Sequence, residues 1–323
     1  MKAPRLNVDR DSLAIALALA LLLVALLMPP IELPRDTYDY LLVFDISQSM
    51  NVEDYQLDGA PVSRLAFAHE AARRMLRDLP CGSRIGWAAF TGYRTVPLLA
   101  PIEVCAYYND LLASLAQIDG RMRWSNASEI TKGVYWSVLT ARDIKLPTQP
   151  PHPDVVFITD GQEAPPLDPA YPPRVIEDLP HRSIHGWLIG AGADTPSPIP
   201  KIDEEGHREG YWHADEVIQP SAIGDTSAPD IEHLSAVREQ HLRALADQLG
   251  FSYARMTSPG SLGEILRDQH FARRRPTPTD LYWIPASMAL LLLAIRFRPI
   301  SRRYGSLPAP STLTEIADGY RPD

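Results

Sequence analysis

A chain of 323 residues, 45% hydrophobic and 22% charged, has the composition of a globular protein and room for one large domain or two small ones. Its formal net charge of −9 excludes nucleic acid as a partner, because phosphate binding needs clustered lysine and arginine. The 31 prolines concentrate in residues 147–229, a stretch expected to be rich in loops.

In chain order, Ser12–Met28 comes first, uncharged and almost wholly Ala, Leu and Val. With Pro29, Pro30 and Ile31 it reaches the ~20 residues needed to cross a bilayer. A signal peptide is the alternative, but Met28-Pro29-Pro30-Ile31-Glu32 offers no small-x-small cleavage site, which favours an uncleaved anchor. Residues 38–49 read as a strand and Ser63–Leu79 as an amphipathic helix, with Leu65, Ala68, Ala72, Met75, Leu76 and Leu79 at helical spacing. Arg84–Thr91 is a buried strand, and Thr95–Leu99 an edge strand because it contains Pro97. Helices are expected over Glu103–Ile118, Ser128–Asp143 and Leu234–Leu249, and strands over Asp154–Thr159, His185–Ile189 and Phe251–Arg255. Strands that alternate with helices and are apolar on both faces predict an α/β fold with a doubly wound, mainly parallel sheet. Ligands of such sheets bind beyond the C-terminal strand ends.

Leu281–Ile295, extendable through Phe297, is a second apolar segment; a buried C-terminal helix is its alternative. Arg273, Arg274 and Arg275 before it, and Arg296, Arg298, Arg302 and Arg303 after it, favour a membrane edge. Lys2, Arg5 and Arg10 keep the N-terminus in the cytoplasm. The expected organisation is a cytoplasmic tail (1–11), an anchor (12–31), an α/β domain (38–270), a second transmembrane helix (281–297) and a cytoplasmic tail (298–323). That places the domain in the periplasm of a bacterial inner-membrane protein.

The chemistry gathers at strand ends. The apolar run from Tyr40 ends in Asp45-Ile46-Ser47-Gln48-Ser49, and the run from Val155 ends in Thr159-Asp160-Gly161. Ser128 lies between them. Hydroxyls and carboxylates make an oxygen-only set suited to a hard cation, Mg²⁺ first, with Mn²⁺ or Ca²⁺ as alternatives. Ser47, Ser49 and Ser128 would ligate, Asp45 would ligate or hold a coordinated water, and Asp160 would act through water. Helix capping and turn hydrogen bonding are the alternative uses of Ser47 and Ser49. Asp45 has Ser47, and no second aspartate, two residues on. The sequence contains no Gly-x-Ser-x-Gly elbow or phosphate-binding Walker loop, so a binding module is expected and an enzyme is not.

This spacing resembles the metal-ion-dependent adhesion site of von Willebrand factor A domains, with Ser128 where a threonine is usual. Ser47-Gln-Ser49-Met50, Glu53-Asp54, Ser63-Arg64-Leu65, Gly82-Ser-Arg-Ile-Gly86 and Ile189-Gly190-Ala-Gly192 resemble the Bat-type, MoxR-associated branch over residues 38–256. Gln162-Glu163-Ala-Pro-Pro166 looks closest to the methanol dehydrogenase maturation subfamily. The resemblance implies an A-type, Rossmann-like fold, membrane anchors, and a protein client whose acidic side chain completes the cation's coordination. It further implies work beside a MoxR-type AAA+ ATPase and sister A-domain proteins in the assembly, maturation or metal loading of an envelope complex. An extracytoplasmic adhesion receptor and a Bat-type stress-tolerance component are the alternatives. Trp124, in the loop ahead of Ser128, and Glu163 are candidate partner contacts. In that fold Cys81 and Cys105 fall at the same end of the sheet, and they are expected to form a disulfide; two small buried thiols are the alternative.

Overall fold

The computed structural model describes residues 9–168 and 184–297. The expected tails at 1–8 and 298–323 lie outside these residues, as do Lys2, Arg5, Arg298, Arg302 and Arg303.

Two compact units are present. The first contains helix α1 (Arg10–Leu27) and the last helix, Trp283–Arg296, which pack against each other through Ala14, Ala18, Pro285 and Ala289. Asp11 at the start of α1 pairs with Arg296 at the end of its partner helix. With 18 residues and a mean hydropathy of 2.2, α1 is long and apolar enough to cross a membrane. The second helix has only 14 residues. At ~1.5 Å per residue it reaches ~21 Å, short of a ~30 Å hydrocarbon core. Of the two transmembrane helices expected, the structure therefore offers one candidate span.

The second unit, Glu32–Pro278, is the α/β domain. In chain order it contains β1 (Ile31–Thr37), β2 (Asp39–Asp45), β3 (Tyr55–Leu57), β4 (Ala60–Val62), α2 (Arg64–Asp78), β5 (Arg84–Thr91), β6 (Arg94–Glu103) and α3 (Tyr108–Leu115). Next come α4 (Ile130–Asp143), β7 (Asp154–Thr159), β8 (Gly186–Gly190), β9 (Ser197–Pro198), β10 (Pro200–Ile202), β11 (Arg208–Tyr211), β12 (Leu234–Ser235), α5 (Glu239–Leu249), β13 (Ser252–Arg255), α6 (Ser261–Ile265) and β14 (Arg273–Thr279). The main sheet has six strands in the order β13-β8-β7-β2-β5-β6. All neighbours are parallel except β6, which runs antiparallel to β5 and closes one edge. Pro97 and Pro101 sit on that edge, where a missing N–H costs no ladder bond.

Period-two alternation sends side chains to both faces, and both are covered, as continuous apolar strands require. Tyr40, Leu42, Phe44 and Trp87 pack with Ala68, Ala72 and Met75 of α2 on one face. Leu41, Val43, Phe90 and Phe157 pack with Val134 of α4 and Leu242 and Leu245 of α5 on the other. Gly133 is demanded by that packing: a Cβ there would lie 2.1 Å from the Phe90 ring.

Three expectations need correction. The helix expected from Glu103 starts at Tyr108, because β6 runs on to Glu103. The helix expected from Leu234 starts at Glu239, because Leu234 and Ser235 pair with β9. The arginines before the last helix also do not all point to a membrane edge. Arg273 donates to Asp39 at 3.0 Å and to Asp154 at 2.8 Å, and Arg275 lies 2.7 Å from Asp39, whose side chain is fully buried. These charges fasten β14 to the N-terminal end of the sheet. β14 also pairs with β1 in a two-stranded ribbon, which the sequence did not reveal.

Candidate metal centre

Parallel strands deliver their C-terminal ends to one rim, and the candidate residues gather there. Asp45 ends β2 and is fully buried. Its Oδ1 accepts from the Ser47 backbone N–H at 2.9 Å and its Oδ2 from the Thr159 hydroxyl at 2.6 Å. The first of these bonds curls the loop so that the Ser47 and Ser49 hydroxyls lie 3.2 Å apart. Ser128 comes to the same rim from another direction. It is stitched by backbone bonds to Ala164, and Glu129 N–H donates to the Gly92 carbonyl. Its hydroxyl is buried and has no hydrogen-bond partner among the described residues. A buried hydroxyl left unpaired costs ~1–3 kcal/mol, which a bound cation or water would recover.

Asp160 follows β7 and is also fully buried. Its Oδ1 accepts from the Gln162 N–H at 3.0 Å. Its Oδ2 accepts from Arg64 Nη1 at 2.6 Å and from the Ser235 hydroxyl at 2.8 Å. Both oxygens are thus engaged by protein donors, which suits contact with a cation through water. Gly161 makes the turn after it at φ +78°, a backbone region favouring glycine.

Arg64 is the functional residue that the sequence reading missed. Its side chain is fully buried, and it forks onto Asp54 through Nε at 3.1 and 3.0 Å and Nη2 at 2.7 Å. Burial opposes its charge, but the Asp160 and Asp54 carboxylates outweigh that and raise its pKa. The available signal was the Ser63-Arg64-Leu65 motif of the resemblance, which sets a guanidinium at the start of an amphipathic helix.

Burial first, and the Asp160 charge second, push the Asp45 carboxyl up to about 7, against the lowering effect of its bonds from Ser47 and Thr159. A buried carboxylate pair and three serine hydroxyls, of which that of Ser128 is orphaned, form an oxygen donor set that fits a hard divalent cation.

The other candidates fall nearby. Glu163 is 7% exposed and turned inward: Oε2 accepts from Ile130 N–H at 2.8 Å and Oε1 from Thr131 N–H at 3.0 Å, with His241 Nε2 at 3.1 Å. It caps the N-terminus of α4, where the helix dipole favours negative charge. Trp124 is 47% exposed, beside the acidic hairpin that joins β10 to β11. Gln48 ties that hairpin to the site: Nε2 donates to the Ile202 carbonyl at 2.9 Å, and Ile202 N–H donates to Oε1 at 3.2 Å. At the opposite end of the sheet, Cys81 and Cys105 form a disulfide with Cα atoms 5.3 Å apart.

No protein-family model matches the chain. It is 30% identical over 255 residues to a UPF0353 protein of Mycobacterium leprae, covering 74% of this chain and 69% of that one. It is 26% identical over 238 residues to a UPF0353 protein of Mycobacterium bovis, of whose length it spans 65%. Among solved structures, an aerotolerance-related membrane protein from Bacteroides fragilis aligns with 72% of this chain and 98% of its own at a TM-score of 0.50 and 18% identity. That likeness is one of fold, and the fold is of the von Willebrand factor A kind, with its mixed sheet. By identity and coverage the chain belongs to the UPF0353 family.

Proposed function

We propose that this protein is a membrane-anchored, divalent-cation-dependent protein-binding module. The observation that carries the reading is the buried, unpartnered Ser128 hydroxyl on the rim shared by the Ser47 and Ser49 hydroxyls, with Asp45 and Asp160 behind them. Ser47, Ser49 and Ser128 would hold Mg²⁺ or a similar cation directly, Asp45 directly or through water, and Asp160 through water. The bound cation supplies a Lewis-acidic anchor for an acidic side chain of a protein client. Arg64 and Ser235 hold Asp160 in place, and Thr159 and the Ser47 N–H orient Asp45.

The client is an envelope complex undergoing assembly or maturation, in concert with a MoxR-type ATPase and sister A-domain proteins. The sequence motifs support that role. A stress-tolerance component is the second reading, favoured by the fold shared with an aerotolerance-related membrane protein. In the proposed topology α1 anchors the chain in the inner membrane and the domain is periplasmic.

The test is affinity capture by the full chain in detergent, with Mg²⁺ against EDTA, for wild type and Asp45→Ala. A client retained with Mg²⁺ and lost in EDTA and in the variant supports the reading. Retention indifferent to both refutes it.

A further inference from the structure

A cavity of about 260 Å³ opens beside the Ser47, Ser49 and Ser128 hydroxyls. Its far wall is apolar, built from Pro165, Pro166, Ile199, Val217 and Ile218. Ile218 is 53% exposed, an apolar surface left to solvent at the mouth of a polar site. Two more residues lining this cavity carry buried polar atoms with no hydrogen-bond partner among the described residues: the acceptor Gln162 Oε1 and the donor Trp212 Nε1.

A second cavity of about 400 Å³ adjoins the first and shares Gln48, Asn126 and Trp212 with it. Asp203, Glu204, Glu205 and Glu209 line it. Glu204, Glu205 and Glu209 form no ion pair among the described residues, while the nearby Lys201 is committed to Glu216 at 2.6 Å. Arg123 spends its Nη2 on the Ile202 carbonyl at 3.0 Å, which with Gln48 fixes the acidic hairpin against the Ser47–Ser49 loop. The two cavities are therefore held in a set relation within one domain.

We propose, resting on the cation-site reading above, that the paired cavities take an extended peptide segment of a partner protein that combines an acidic side chain, a large apolar side chain and a lysine or arginine. The carboxylate meets the cation. The apolar side chain lies against Pro165, Ile199 and Ile218, and the basic side chain enters the field of Glu204, Glu205 and Glu209. The hairpin and the segment before β12 thus set which acidic partner is accepted, since opposite charge attracts and like charge rejects.

The test is fluorescence anisotropy with the full chain in nanodiscs and saturating Mg²⁺. The probes are short labelled peptides with aspartate, leucine and arginine cores in both orders, and counterparts with glutamate in place of arginine. The expected result is tighter binding of an arginine peptide. Glu204→Lys combined with Glu205→Lys loses about tenfold for it and gains for the glutamate peptide, and Ile218→Asp loses about tenfold for both. These side chains are at the surface, and unchanged circular dichroism confirms folding. Mg²⁺-dependent binding that neither variant alters overturns the inference and leaves the cation site standing. Binding insensitive to Mg²⁺ and to Asp45→Ala, yet lost in Ile218→Asp, overturns the cation reading and the proposal with it. Absence of binding by every peptide overturns the inference, while Mg²⁺ calorimetry on the same sample reports on the cation site alone.

Discussion

Arg64 Nη1 and Asp160 Oδ2 meet at 2.6 Å with both side chains completely buried. The same guanidinium reaches Asp54 and Ser235, so one side chain joins the end of β7, the loop after β2 and the strand β12. Removing one partner of such a pair strands the other charge. Arg64→Met is expected to cost about 3–5 kcal/mol in unfolding free energy. Arg64→Lys, which keeps the charge and loses the fork, is expected to cost less. Urea unfolding of both variants checks the order; equal losses would mean that a charge without the fork recovers nothing.

Asp45 connects the site to neutral pH. Its carboxyl is raised to about 7, so in the cation-free protein this group favours folding at low pH, and that contribution is lost as pH rises from about 4 through about 7. Cation binding requires the ionised form, so Mg²⁺ affinity should weaken about tenfold per pH unit below 7. Asp45→Asn should be at least as stable as wild type in EDTA at pH 8. It should also forfeit the Mg²⁺-induced rise in melting temperature, which is worth ~2.7 kcal/mol at a hundredfold excess over Kd. Thermal melts across pH, with and without Mg²⁺, measure all three effects.

The Cys81–Cys105 bridge closes a loop with a sequence separation of 24. Loop-closure entropy for that length amounts to about 3 kcal/mol. Cys81→Ser with Cys105→Ser should lower unfolding stability by that order and leave Mg²⁺ affinity unchanged, because the bridge is at the far end of the sheet. A parallel loss of Mg²⁺ binding in calorimetry would contradict this separation.

His69 lies in α2 with its ring edge-on to Phe44 at 5.2 Å and its Nε2 buried without a hydrogen-bond partner among the described residues. Burial lowers its pKa to about 4, although Asp119 works in the other direction. The unfolded chain takes up a proton below about 6.5 and the folded one does not until about 4. Stability from this group is therefore present above 6.5 and falls as pH drops from 6.5 towards 4, by up to about 3 kcal/mol. His69→Leu should flatten that part of the profile, which unfolding free energies at pH 5 and 7.5 will show.

Much of the site was legible because parallel strands place their ends together. Asp45 and Asp160 each follow an apolar run, so their common rim follows from the alternation of elements alone. Ser128 was reachable only through the resemblance, since its place depends on backbone bonds to Gly92 and Ala164 that no local pattern signals. Arg64 stood in the Ser63-Arg64-Leu65 motif without a role, because only tertiary packing puts the Asp54 and Asp160 carboxylates around it. Glu163 shows the reverse, an acidic residue beside the site whose carboxylate is occupied by the end of α4. The β1–β14 ribbon was hidden by Pro34, Pro276 and Pro278, because proline lacks the N–H that strand pairing uses. A ribbon exposed on its outer edges tolerates prolines that a central strand would not.

That ribbon sets how the domain bears load. The chain enters through β1 and leaves through β14, adjacent paired strands, with Thr37 donating to the Arg273 carbonyl at 2.9 Å and Arg273 gripping Asp39 and Asp154. Tension applied at the two ends peels the ribbon open one rung at a time and arrives next at the Arg273 clasp. The six-stranded sheet, and the rim of hydroxyls and carboxylates at its far end, are the last to feel it. Strain arriving through the two chain ends is therefore met first by the ribbon and the Arg273 clasp, which shield the sheet behind them.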